Sequence, residues 1–216
     1  MTSPIIELKN VSKKFRNRTV IHGLNLELNA NQIYGFSGPN GAGKTLTFKL
    51  ILGFVKATRG QVIVNGKVLR QDTLFAPGIG FAIQEYGLLA DKSGSENLKL
   101  LSILSKIQTS VVPGILSYVG LDPIDDRQVR EYSLGMKQRL LIAAALLRDD
   151  NILIFDEPTN ALDENGQHFL VSLIRDLKSQ GKTILISSHD AEFLKLFSDK
   201  IFKYSSEGNI IGEIVP

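Results

Sequence analysis

Gly38-Pro39-Asn40-Gly41-Ala42-Gly43-Lys44-Thr45 is the stretch on which the reading of this chain turns. It matches the pattern G-x-x-x-x-G-K-[ST] at every fixed position. The apolar run Ile33-Tyr34-Gly35-Phe36 stands before it and reads as a strand. Leu46, Phe48, Leu50, Ile51 and Leu52 follow at helical spacing and stop at Gly53. Strand, glycine loop and helix is the context that gives the pattern its meaning. Glycines let the backbone curl until successive N–H groups share one cavity. The helix behind them adds the positive end of its dipole. Lys44 then offers a mobile positive charge for the β- and γ-phosphates of a nucleotide, and Thr45 a hydroxyl for Mg²⁺.

The rest of the composition is compatible with such a ligand and excludes several other chemistries. With 216 residues, 43% of them hydrophobic, the chain can bury a full core as one domain or one domain with a subdomain. The absence of cysteine rules out disulfides and thiolate chemistry. Three histidines, His22, His168 and His189, are too scattered in sequence for an obvious metal cluster. A net charge of +3 suits a polyanion but is too weak to imply nucleic acid, so no nucleic-acid partner is expected. The basic run from Lys9 to Arg18 reads as a solvated strand edge or turn, with an anion or a membrane surface as the alternative. Met1-Thr2-Ser3-Pro4 has no signal-peptide character. The longest apolar run, Leu140 to Leu147, falls far short of the ~20 residues that cross a bilayer, so a soluble chain is expected and any membrane role needs a partner.

Along the chain, residues 5–36 read as a β-rich unit, with Leu24, Leu26 and Leu28 alternating against Asn25, Glu27 and Asn29. Gln61–Val64, Asn65-Gly66 and Lys67–Leu69 read as a hairpin with a type I′ turn. Ile79–Ile83 reads as a further short strand ending at Gln84. Helical spacing runs from about Ser95 to Gly120, with an interruption expected at Val111-Val112-Pro113, and again from Lys137 to Arg148. Residues 85–148 therefore read as a helical insertion in an α/β core formed by 1–84 and 149–216. Asn151–Phe155 and Thr183–Ser187 are continuous apolar runs, as in strands covered on both faces. A helix between them, a short helix at Ala191–Ser198 and a terminal hairpin over Ile201–Tyr204 and Ile210–Ile214 complete the reading.

Phe155-Asp156-Glu157-Pro158 closes one core strand with an acidic pair. Asp156 suits the Mg²⁺ that Thr45 also touches. Glu157, sent a different way by strand alternation, suits polarisation of a water against the γ-phosphate. Ser187-Ser188-His189-Asp190 ends the next core strand, at the same rim if the sheet is parallel, which is where ligands bind in such sheets. His189 can donate and accept, and suits the γ-phosphate and its attacking water. His22 and His168 lack such support and read as surface residues.

Together these motifs resemble the ATP-binding cassette (ABC) ATPases over nearly the whole chain. Gln84 is similar to that family's Q-loop glutamine, Tyr132-Ser133-Leu134-Gly135-Met136-Lys137-Gln138-Arg139 to its signature, Asn160-Ala161-Leu162-Asp163 to its D-loop, and His189 to its switch histidine. The resemblance implies a P-loop NTPase core with a mixed, mainly parallel sheet, an N-terminal antiparallel β subdomain and an inserted α-helical subdomain. It implies ATP and Mg²⁺ as cofactors. Lys44, Gln84, Glu157 and His189 become the expected catalytic group, and Thr45, Gln84 and Asp156 the expected metal group. Phe15, residues Gly38 to Leu46 and, across a dimer, Ser133, Leu134, Gly135 and Met136 become the expected nucleotide contacts.

It further implies a second ABC subunit stacked head to tail, a separate transmembrane permease, and a cytoplasmic position on the inner face of the membrane. Tyr86, Leu88 and Leu89 are candidate exposed contacts with the permease, with packing in the core of the insertion as the other reading. The signature run is similar to that of bacterial exporters for bacitracin and lantibiotics. The chain departs from the family pattern at Leu134, Met136, Leu46, Asn160 and Phe15, which replace glycine, glutamine, a hydroxyl residue, serine and tyrosine. A soluble ABC ATPase of cluster assembly is the alternative.

Overall fold

The computed structural model describes residues 3–16, 18–83, 87–160 and 162–216. β1 (Ile6–Phe15) and β2 (Arg18–Leu28) form an antiparallel hairpin, and β4 (Arg59–Val64) and β5 (Lys67–Val68) extend it to a four-stranded sheet in the order β2-β1-β4-β5. A six-stranded sheet is built from β3 (Ile33–Ser37), β6 (Ile79–Ala82), β7 (Ile152–Phe155), β8 (Thr183–Ser188), β9 (Lys200–Tyr204) and β10 (Ile210–Ile214). Its order is β10-β9-β3-β8-β7-β6, parallel throughout except for the terminal β9–β10 pair.

The continuous apolar runs behave as sheets covered on both faces require. Every residue of β3, β7 and β8 is buried. Side chains alternate between the two sides at period two. Ile152, Ile154 and Leu185 pack toward the antiparallel sheet and α1 (Lys44–Leu52), while Leu153, Phe155, Ile184 and Ile186 join the core shared with the helices. Those helices are α2 (Gly94–Leu104), α3 (Val112–Tyr118) and α4 (Leu134–Leu146) between β6 and β7, then α5 (Glu164–Ser179) and α6 (Ala191–Lys195).

Several boundaries differ from the periodicity, among them the ends of α4 and α6, which stop at Leu146 and Lys195 rather than at Arg148 and Ser198. The break in the first helical stretch falls over residues 105–108, before rather than at Val111-Val112-Pro113. Pro113 sits in the first turn of α3, where its missing N–H has no intrahelical partner to lose. α4 starts at Leu134, earlier than Lys137, because the Ser133 side chain accepts a hydrogen bond from the Met136 N–H and caps it there. The Asn65-Gly66 turn has positive φ at both residues, 49° and 72°, as a type I′ hairpin requires.

Candidate nucleotide site

The loop after β3 is shaped by close approach and by two left-handed residues, Gly41 and Gly43. A Cβ on Gly38 would lie 2.8 Å from the Tyr204 Cβ and 2.9 Å from its carbonyl oxygen, so only glycine passes β9 there. Gly43 is the N-cap of α1 at φ +94°, a conformation that favours glycine. Among the described residues no side chain caps α1, and no acidic residue stands in its first turn. Its leading N–H groups are therefore left for an external acceptor, and the dipole favours an anion. Pro39, Asn40 and Gly41 are exposed at the tip, whereas Ala42 and Gly43 are buried. Leu46 turns its side chain toward the core, partly buried.

Lys44 opens the helix and is only 5% exposed. Its ammonium donates to the carbonyls of Gly38 at 2.6 Å and Pro39 at 3.2 Å, and lies 3.1 Å from Glu157 Oε1. Thr45 Oγ1 donates to Asp156 Oδ2 at 2.7 Å, joining the loop to the end of β7. Asp156 Oδ1 accepts from Ser187 Oγ at 2.6 Å. Burial pushes the Asp156 carboxyl above the usual range, against the pull of the Ser187 and Thr45 hydroxyls, while the Glu157 charge adds to the rise.

Glu157 does not obtain its direction from strand alternation. β7 stops at Phe155, and Glu157 adopts φ +48° beyond it. That left-handed turn, not a strand pleat, brings its carboxylate to Lys44 and to His189, whose Nδ1 lies 3.1 Å from Oε2. The His189 N–H donates to the same oxygen at 3.3 Å. β7 and β8 are parallel neighbours, so Asp156 and His189 do share one rim. His22 and His168 are exposed.

Phe15, at the end of β1, is 47% exposed, with the Lys13 ammonium 4.7 Å from its ring centroid. Gln84 and Tyr86 lie outside the described residues. Leu89 is half exposed. Leu88 is partly buried and lines a groove of about 770 Å³ with Val129, Leu134, Gln138, Leu141 and Asn160. Ser133, Leu134, Gly135 and Met136 occupy a different place from the P-loop cluster. They line an open cleft of about 500 Å³ with Arg139, Leu162 and Asp163. Leu134 there is 69% exposed, unusual for a leucine at the start of a buried helix. The residue that sequence reading passed over is Ser187, the first of two buried serines that end β8, touching both acidic residues.

The donor set fits a magnesium nucleotide. Thr45 and Asp156 present oxygen ligands only, which suit Mg²⁺, and the uncapped helix start with Lys44 suits polyphosphate. A phosphate loop ahead of a helix, an acidic strand end bonded to it and a parallel sheet define a P-loop ATPase. The ABC transporter family profile matches residues 21–160, and the chain belongs to that family. It is an ATP-binding and ATP-hydrolysing subunit of the kind that works with a membrane permease.

The chain is 38% identical over 210 residues to the lantibiotic transport ATP-binding protein SrtF of Streptococcus pyogenes, covering 97% of this chain and 90% of that one. It is 34% identical over 216 residues to the Nod factor export ATP-binding protein I of Burkholderia lata, covering 98% of this chain and 71% of that one. Among solved structures, the dimeric bacterial ABC transporter cassette MJ0796 superposes with a TM-score of 0.88 at 25% identity, covering 97% of this chain and 98% of that one. Among the described residues, no helix is long and apolar enough to cross a membrane.

Proposed function

We propose that this chain hydrolyses ATP at a site shared between two cassettes and so drives a separate permease that exports a peptide antibiotic of the lantibiotic type. The observation that carries the catalytic part is a pair of adjoining contact groups: Thr45 to Asp156 at 2.7 Å, and Lys44 to Glu157 and Glu157 to His189, each at 3.1 Å. In this reading the loop from Gly38 to Leu46 wraps the phosphates, and Lys44 exchanges its carbonyl partners for phosphate oxygens. Thr45 and Asp156 hold Mg²⁺, with Gln84 as a further ligand. Bound there, the ion neutralises charge on the transferring phosphoryl group.

Glu157 accepts a hydrogen bond from the attacking water, and His189, held through Nδ1 and its N–H, keeps that carboxylate aimed. Phe15 stacks on adenine. Ser133, Leu134, Gly135 and Met136 of the second cassette, at the positive end of α4, close the site. The helical subdomain at about 85–148 moves against the core of about 1–84 and 149–216. Leu88 and Leu89 face the permease, on the inner face of the cell membrane.

The cargo reading is supported by the likeness to SrtF, whose name is that of a lantibiotic transport protein. Its test is expression with its permease partner in a lantibiotic-sensitive host. Raised resistance that disappears with Lys44→Ala is the expected result. Unchanged sensitivity, with both proteins present and ATP being turned over, would remove the cargo.

A further inference from the structure

Ser187 stands one residue beyond the last rung joining β7 and β8, where Phe155 pairs with Ile186. At that point β7 leaves the sheet. On the β6 side the ladder continues for one more bond, from the Asp156 N–H to the Ala82 carbonyl at 3.0 Å. On the β8 side a side chain takes over. Ser187 Oγ accepts from the Glu157 N–H at 2.8 Å and donates to Asp156 Oδ1 at 2.6 Å.

A hydroxyl has one proton to give and lone pairs with which to accept. Here the proton goes to Asp156 and a lone pair takes the Glu157 N–H. Ser187 has 0% exposure, so solvent does not compete for either bond. With Thr45 on Oδ2, the Asp156 carboxylate is gripped at both oxygens and its rotation is set. Glu157 is a non-glycine residue at φ +48°, a conformation that persists only where the surroundings over-determine it. The Ser187 bond to its N–H is one such restraint, acting on the peptide that aims the carboxylate at Lys44 and His189.

We infer that Ser187 is a positioning residue for hydrolysis: one buried hydroxyl sets both the Asp156 carboxylate that holds the metal and the left-handed Glu157 peptide that aims the water-polarising carboxylate. This rests on the roles given above to Asp156 and Glu157. Ser187 touches neither nucleotide nor metal in this reading, so its loss acts on turnover and metal affinity while the hold on the nucleotide itself is kept.

The test compares wild type, Ser187→Ala, Ser187→Thr and Glu157→Gln in the purified full chain. Three readouts are taken: kcat and KM for Mg-ATP, Mn²⁺ affinity by electron paramagnetic resonance with ATP bound, and ATP affinity without metal. Ser187→Ala is expected to lower kcat about tenfold, as loss of a charge-assisted hydrogen bond does. It should weaken Mn²⁺ several-fold and leave metal-free ATP affinity unchanged. Ser187→Thr, which keeps the hydroxyl, should recover both losses to within about threefold of wild type. Should Ser187→Ala not fold, Ser187→Cys, similar in size but a poor donor, carries the same comparison. Wild-type kcat and Mn²⁺ affinity in the hydroxyl-free variant, or equal losses in folded Ser187→Thr, would overturn the inference. Wild-type turnover in Glu157→Gln would instead overturn the role of Glu157, so the two failures are told apart.

Discussion

Replacing Glu157 by glutamine changes the site by one oxygen and one charge, and the structure says what each is worth. The side chain keeps its length and its left-handed backbone, so packing is preserved. What disappears is a carboxylate 3.1 Å from the Lys44 ammonium and 3.1 Å from His189 Nδ1. Removing a positioned general base lowers turnover by about 10²–10⁴-fold, equivalent to roughly 3–5 kcal/mol of barrier. Ground-state binding should barely change, because Lys44 and the α1 N–H groups are untouched and Lys44 loses a competitor for phosphate. Stability should fall only modestly, by about 1–2 kcal/mol. Breaking a buried pair costs more than that, but the Lys44 ammonium keeps its bonds to the Gly38 and Pro39 carbonyls. In a chain of this size that is a fall of about 2–8 °C in Tm. Phosphate release under saturating Mg-ATP measures the first effect and nucleotide titration the second. Light scattering on the ATP-loaded variant is expected to find a long-lived dimer, because the step that releases it is blocked. Turnover within threefold of wild type would refute the assignment.

Three further outcomes follow from named contacts. Ser133→Ala should lower turnover while leaving nucleotide affinity of the single chain unchanged, with a further loss of about 1 kcal/mol of stability because Ser133 also caps α4. Equal loss of single-chain affinity, measured by titration below the dimerisation range, would place the signature in its own chain's site. Asp156→Asn should abolish turnover yet raise the Tm of the metal-free chain at neutral pH. Burial raises the Asp156 pKa, so its favourable contribution is present below the unfolded value and is lost as pH rises through the folded one, leaving a net cost when ionised. The gain should therefore shrink on acidification, and a Tm gain that grows toward low pH would contradict this sign. Glu157→Gly should melt higher than Glu157→Ala, since both lack the carboxylate and differ by the left-handed penalty of about 1–2 kcal/mol. Equal melting temperatures would mean that position 157 relaxes without its side chain.

The parts of this molecule that read clearly in sequence are those where local chemistry and tertiary need coincide. Asn65-Gly66 turns the chain wherever it stands, and the apolar runs of β7 and β8 have no alternative to a covered sheet. The phosphate loop is legible because its whole pattern lies within eight residues, although the close approach that demands glycine at 38 comes from Tyr204 in β9. The direction of Glu157 is not, because it depends on a backbone inversion that no residue type at 157 announces. Ser187 is hidden for a related reason. Its two partners lie thirty and thirty-one residues away, at 2.8 and 2.6 Å, and only a pair of hydroxyls after an apolar run hints at them. The early start of α4 is also written in the chain, as the Ser133 cap, but the apolar spacing marks only the run from Leu140. Periodicity reports the buried face of a helix, while its ends are set by single hydrogen bonds.

The most direct measurement is calorimetric titration of ATP into the purified chain, with and without Mg²⁺, beside Lys44→Ala. One ATP per chain, bound at least tenfold more tightly by wild type than by Lys44→Ala and strengthened by Mg²⁺, is the predicted result. Absence of binding, or affinity indifferent to both Lys44 and the metal, would contradict a magnesium nucleotide held between Lys44 and Asp156.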